Sequence, residues 1–222
     1  MNPNYAAVSR PRLNALEANK VLKNTYLLLS ATLAFSAVMA MVSMAMNMPP
    51  MVYMGSIIVS MVLGMFVLPK TANSSAGVGV IFLITGLLGF GLGSILNIYM
   101  AMANGPQIVA TALGGTGIIF LGLSGYALTS KKDFSFLGGF LFAGMMVLIL
   151  AIIASIFIQI PALSLAISSA VIMVMSGFIL FDTSRIINGG ETNYIMATYG
   201  IFLSIFNIFI SLLNILGIMS DD

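Results

Sequence analysis

Seven apolar runs, each long enough to cross a lipid bilayer, constrain this chain more than any other feature. They cover roughly residues 25–46, 51–69, 77–99, 107–129, 134–158, 161–182 and 194–217. A hydrocarbon core of about 30 Å is crossed by ~17–25 residues of α-helix, and a helix satisfies its own backbone hydrogen bonds there. The breaks have local causes. Pro49-Pro50 separates the first two runs, Asn104-Gly105-Pro106 turns the third into the fourth, and Pro161 opens the sixth, where a helix tolerates proline. Only 6% of the 222 residues are charged, against about 25% in a soluble domain. The fold class is an all-α membrane protein: residues 1–24 form an N-terminal tail and residues 25–222 a seven-helix transmembrane domain.

The charges orient it. With a cytoplasmic N-terminus and seven crossings, the inside segments hold Arg10, Arg12, Lys20, Lys23, Lys70, Lys131, Lys132 and Arg185, which is every Lys and Arg present. The outside connections hold none, and the outer tail is Ser220-Asp221-Asp222. The positive-inside bias therefore predicts N-in, C-out topology. A polar N-terminus ahead of the first apolar run is the wrong order for a cleaved secretory signal, so the first span reads as an uncleaved anchor. A net charge of +2 gives no reason to expect nucleic acid. Without Cys or His, thiol chemistry and the commonest transition-metal ligands are missing.

The last run carries a stripe. Ala197, Gly200, Ser204, Asn207, Ser211 and Asn214 recur at steps of 3 and 4, so they share one helix face. Ser and Asn facing lipid would leave polar groups unmatched in hydrocarbon. The expectation is a central helix surrounded by the other six.

Asp182 is the one acidic residue inside an apolar run. It lies about 31 Å along a helix begun at Pro161, near the cytoplasmic interface. At a helix C-terminus it would oppose the dipole, and Arg185 three residues on, or Lys70 from the second helix, is its expected partner. The bland reading is an interfacial ion pair; the functional one is a carboxylate in a cavity whose protonation switches its contacts. Both stand at this point.

The third run holds Gly86, Gly89, Gly91 and Gly93, with Gly89 and Gly93 in GxxxG spacing; the fourth holds Gly114, Gly115, Gly117, Gly122 and Gly125. Both sets are expected to pack helices closely. Seven methionines from Met39 to Met54 suggest Cu(I) chemistry, but without Cys or His flexible packing is the better reading. Lys131-Lys132 reads as a topological anchor, and Asp133 as a cap for the fifth helix. No nucleophile with a base, paired carboxylate or HExxH is present, so no catalysis and no cofactor are expected.

Several separated segments carry a resemblance: KVLKNTYLLLSATLAFSA at 20–37, LPKTANSSAGVGV at 68–80, KKDFSFLGGFLFAG at 131–144, ILFDTSRIINGGETNYI at 179–195 and the closing FLSIFNIFISLLNILGIMSDD. Together they resemble the Bax inhibitor-1 family, in particular its bacterial YccA-like branch. The resemblance implies a seven-helix bundle around the last helix, in the bacterial inner membrane. It implies a partner, the membrane AAA protease FtsH, which degrades such proteins slowly from the N-terminal tail and is restrained by them from attacking membrane proteins such as SecY. The corresponding handle would be Met1 to about Lys23. Other members are pH-sensitive calcium leaks gated by two aspartates that share a proton. Asp182 falls on the first position, and Ser204 stands at the second. A lone carboxylate has no coupled titration and gives calcium one hard anionic ligand fewer. A rigid ruler puts Ser204 about two turns from Asp182.

The leading expectation is a non-enzymatic modulator of FtsH. The alternative is a calcium or proton leak with Asp182, Ser204, Asn207, Asn214 and Arg185 along its path, a weak calcium site at Asp182, and Gly89, Gly93 and Gly200 serving helix packing.

Overall fold

The computed structural model describes residues 15–220; Arg10, Arg12, Asp221, Asp222 and most of the proposed handle lie outside them. Among the described residues, seven helices are long and apolar enough to span a membrane. They are α1 (Ala15–Ala45), α2 (Met51–Thr71), α3 (Ser75–Met100), α4 (Gly105–Ser130), α5 (Gly138–Phe157), α6 (Pro161–Ile187) and α7 (Tyr194–Ser220).

The helices outrun the apolar segments at functionally relevant ends. α1 begins at Ala15, so Lys20 and Lys23 ride on its first turns rather than in a tail. α6 continues past Asp182 to Ile187, which puts Asp182 inside the helix rather than at its C-terminus. Pro106 and Pro161 sit in the first turns of α4 and α6, where no intrahelical N–H is lost. Pro69, by contrast, lies within α2, two residues after a π-helical turn at Leu63–Val67. A wider turn is one way a helix absorbs a proline that cannot continue the regular ladder.

Packing is uneven. α3 lies against α1, α2, α4 and α7, while α7 lies against α6, α4, α1 and α3. In both, 56% of the most apolar window is buried, compared with 11% in α5, which packs mainly against α6. Lipid is as apolar as a leucine side chain, so burying apolar surface does little to join helices in a bilayer; close approach through small residues does more. Gly89 and Gly93 provide this. A Cβ at Gly89 would strike the Ser36 carbonyl, and one at Gly93 the Ala40 carbonyl, so α3 and α1 touch backbone to backbone. Gly91 faces Ser56 and Tyr53 of α2 in the same manner.

The glycines of α4 do otherwise. A Cβ at Gly114, Gly117, Gly122 or Gly125 would meet nothing within 4 Å, and Gly115 alone touches a neighbour, Leu212. The tight packing expected of this second set is therefore absent among the described residues. The buried residues of α4 are instead Gly105, Ile108, Ala112, Thr116, Ser124 and Ala127. Of the methionines near the first hairpin, Met41, Met46, Met51 and Met54 are exposed.

Candidate functional site

Successive residues of a helix point about 100° apart, so the run Asp182-Thr183-Ser184-Arg185 near the end of α6 addresses different neighbours. Asp182 faces α7, with its carboxylate over Gly200. A Cβ at Gly200 would stand 2.7 Å from Asp182 Oδ2, so the glycine makes the space the acid occupies. Among the described residues no cation lies within ion-pair distance of Asp182. Thr183 is fully buried with its hydroxyl unpartnered.

Ser184, also fully buried, turns to the α4–α5 connection. Its Oγ accepts the Phe134 N–H at 2.8 Å and donates to the Lys132 carbonyl at 3.1 Å. The loop carrying Lys131-Lys132 is thereby fastened to the helix that carries Asp182. Within that loop Asp133 Oδ1 accepts the Ser135 N–H at 2.9 Å, at the first residue of the short 3-10 turn Ser135–Leu137 that precedes α5.

Arg185 is one of the two candidate partners of Asp182. It points instead to the α6–α7 connection, where Nη2 reaches the Gly190 carbonyl at 3.2 Å and Glu191 Oε2 at 3.4 Å, and the guanidinium lies 5.3 Å from the Phe181 ring centroid. Glu191 uses its other oxygen to accept the N–H groups of Thr192 and Asn193. Asn193 then caps α7, its Oδ1 accepting from Ile195 and Met196, while its Nδ2 donates to the Ala72 carbonyl and Asn73 Oδ1 beyond the end of α2. Lys70 is exposed and makes no ion pair with Asp182.

The distance from Asp182 to the stripe is shorter than the ruler suggested. α6 and α7 form a hairpin. Asp182 is five residues before the end of α6 and Gly200 six after the start of α7, so the two come level. Ser204 lies one turn further along, and its hydroxyl donates to the Gly200 carbonyl at 3.1 Å, not to Asp182.

The remaining stripe residues have other company. Asn207 donates to the Leu203 carbonyl at 2.8 Å and lines a crevice of about 180 Å³ between α2, α3 and α7 with Tyr53, Ser60 and Tyr199. Asn214 accepts a hydrogen bond from Ser164, near the start of α6, at 3.0 Å. Asp182 and Gly200 thus meet, and Ser204 is bonded to the Gly200 carbonyl, while Asn207 and Asn214 have other partners and Arg185 is engaged by Glu191. Among the described residues no three His, Cys, Asp or Glu side chains cluster as metal ligands.

Reading the sequence did not single out Ser184, Glu191 or Asn193. For Asn193 a signal was present, since an Asn directly before an apolar helical run marks a cap. Ser184 had none, because the loop residues it fastens are about fifty residues away.

Compared with known proteins, residues 18–221 match the family described as "Inhibitor of apoptosis-promoting Bax1". The chain is 54% identical, over 93% of both sequences, to a protein of Vibrio cholerae named "Uncharacterized membrane protein". It is 50% identical to "Modulator of FtsH protease YccA" of Escherichia coli K12, over 96% of this chain and 97% of that one. The counterpart in another Escherichia coli strain, at the same identity, is named "Inner membrane protein YccA".

Proposed function

The chain belongs to the Bax inhibitor family, and from that premise we propose that it is a non-enzymatic, multi-pass inner-membrane protein that binds the FtsH protease and restrains its attack on other membrane proteins. One observation carries this reading: half of the residues are identical, over nearly the full length of both chains, to a protein named as a modulator of FtsH. The inner-membrane placement draws on the seven spanning helices and on the relative's name.

The topology we propose is N-in, C-out with α7 innermost. The segregation of every Lys and Arg to one side supports the orientation. The covering of α7, where no residue from Tyr194 to Ile218 is exposed, supports its inner place. In this arrangement the handle for FtsH, Met1 to about Lys23, joins the start of α1 on the cytoplasmic side.

The test has two parts. A tagged chain, expressed in bacterial cells and extracted in mild detergent, should retain FtsH. Adding the purified chain to proteoliposomes of FtsH and a membrane-protein substrate should slow the substrate's loss. An FtsH that neither co-purifies nor slows would sink the reading. Deleting residues 2–20 should lengthen the protein's lifetime in cells that contain FtsH; an unchanged lifetime would remove the tail as handle.

A further inference from the structure

A groove with a volume of about 590 Å³ runs between α1 and α4, with α3 and α7 as its floor. It is unrelated to Asp182. Its rims, Met41 of α1 and Leu113 of α4, are exposed, while its floor residues Phe202, Ile205 and Phe209 are buried. Along the groove α1 and α4 form no packed helix–helix interface among the described residues. They are joined at one end, where the Tyr26 and Ser124 hydroxyls hydrogen-bond and the Tyr26 ring lies 6.1 Å from that of Phe120.

We propose that this groove is a binding site for one acyl chain of a membrane lipid, entering from the leaflet at which α1 ends and α4 begins. The first argument concerns what can fill it. Nearly all of its wall is hydrocarbon, and the Thr116 hydroxyl is already bonded to the Ala112 carbonyl. Water needs two to four polar partners to occupy such a space, and an empty void forfeits the dispersion contacts of its lining. An apolar cavity of about 150 Å³ takes up benzene, and this one is about four times larger.

The second argument is depth. The lining runs on α1 from Leu33 to Met44 and on α4 from Val109 to Phe120, about 17 Å at 1.5 Å per residue. That is close to half of the ~30 Å hydrocarbon core, the thickness of one leaflet. The Tyr26–Ser124 bond makes the groove blind there. A transmembrane helix of another protein must continue across the second leaflet and would meet the joined rims. An acyl chain ends at mid-membrane and fits a blind groove.

The third is adaptability. Met41, Met44 and Met100 line the open part, and methionine side chains reshape readily around flexible ligands.

The experiment reconstitutes the full chain in phosphatidylethanolamine vesicles containing a phosphatidylethanolamine whose acyl chain carries a diazirine near its end. After illumination, labelled residues are mapped by mass spectrometry. The proposal expects label on residues 202–209 of α7. Gly117→Leu should cut it severalfold by filling the groove, since a Cβ at Gly117 meets nothing within 4 Å. Gly122→Leu, on the outer face of the same helix and equally unobstructed, should leave it unchanged. Should Gly117→Leu fail to fold, Ala37→Leu on the opposite rim serves the same purpose. Label on 202–209 no greater than on the buried Ile81–Ile84 stretch of α3 overturns the proposal, as does label indifferent to the filled groove. Cross-linking of the α7 segment to a second copy of the chain also overturns it, in favour of self-association.

Discussion

The Asp182 carboxylate on α6 lies against the α-carbon of Gly200 on α7, so closely that the smallest side chain would stand 2.7 Å from Oδ2. The acid is thus set into an interhelical contact and makes no ion pair among the described residues, since Arg185 is engaged with Glu191. Any change of charge or size at Asp182 is felt first by α7, through a backbone position with no side chain to yield.

Gly200→Ala tests that contact directly. Alanine is worth about 1 kcal/mol more than glycine in a helix, whereas overpacking a tight site costs about 1–3 kcal/mol. The single substitution is expected to lower resistance to unfolding in detergent. In an Asp182→Ala background the clash is gone and the same substitution should be neutral or stabilising. A double-mutant cycle reads the coupling; strictly additive effects would mean that the two residues do not touch.

The two glycine sets predict opposite responses. Gly89→Leu and Gly93→Leu push α3 off the α1 backbone at Ser36 and Ala40 and should prevent folding or lower thermal stability sharply. Gly114→Leu meets open space on the outside of α4 and should be tolerated or stabilising, since it exchanges the poorest non-proline helix former for a good one. Thermal melts of the three variants in one detergent decide it. A Gly114→Leu variant as damaged as Gly89→Leu would place a neighbour where the chain shows none.

This contrast shows how far the sequence could be read. Seven spans were legible because hydrophobic length is a local signal. GxxxG spacing at Gly89 and Gly93 marked a real backbone contact, but the glycines of α4 looked equally good, and there Gly114 and Gly122 face outward while Gly117 lines an open groove. Composition says that a helix is small on one side, not whether a neighbour lies there. Asp182 could be picked out as a rare intramembrane acid; its companion could not. The level at which α6 meets α7 depends on where both helices end, and α6 outran its apolar run by more than a turn.

Ser184→Ala should loosen the basic loop without unfolding the bundle. It removes two hydrogen bonds between Ser184 and the 132–134 backbone, each worth roughly 1 kcal/mol. The Phe134 amide should lose protection in hydrogen exchange, while amides in the middle of α3 keep theirs. Unchanged protection at Phe134 would show that the loop is held by other contacts.

Asn193 does two jobs with one side chain, and its substitutions should separate them. Its Oδ1 caps α7 through Ile195 and Met196, and its Nδ2 holds the end of α2 through Ala72 and Asn73. Asn193→Asp keeps the cap acceptor, and a negative charge suits a helix N-terminus. It loses the donor, however, and sets an anion against two carbonyl oxygens. Asn193→Ala loses both functions, with about 1 kcal/mol for the cap alone. The alanine variant is therefore expected to expose the first turn of α7 to hydrogen exchange. The aspartate variant should protect that turn and free residues 72–74. Equal exposure of the α7 turn in both variants would mean that the link to α2, and not the cap, fixes where α7 begins.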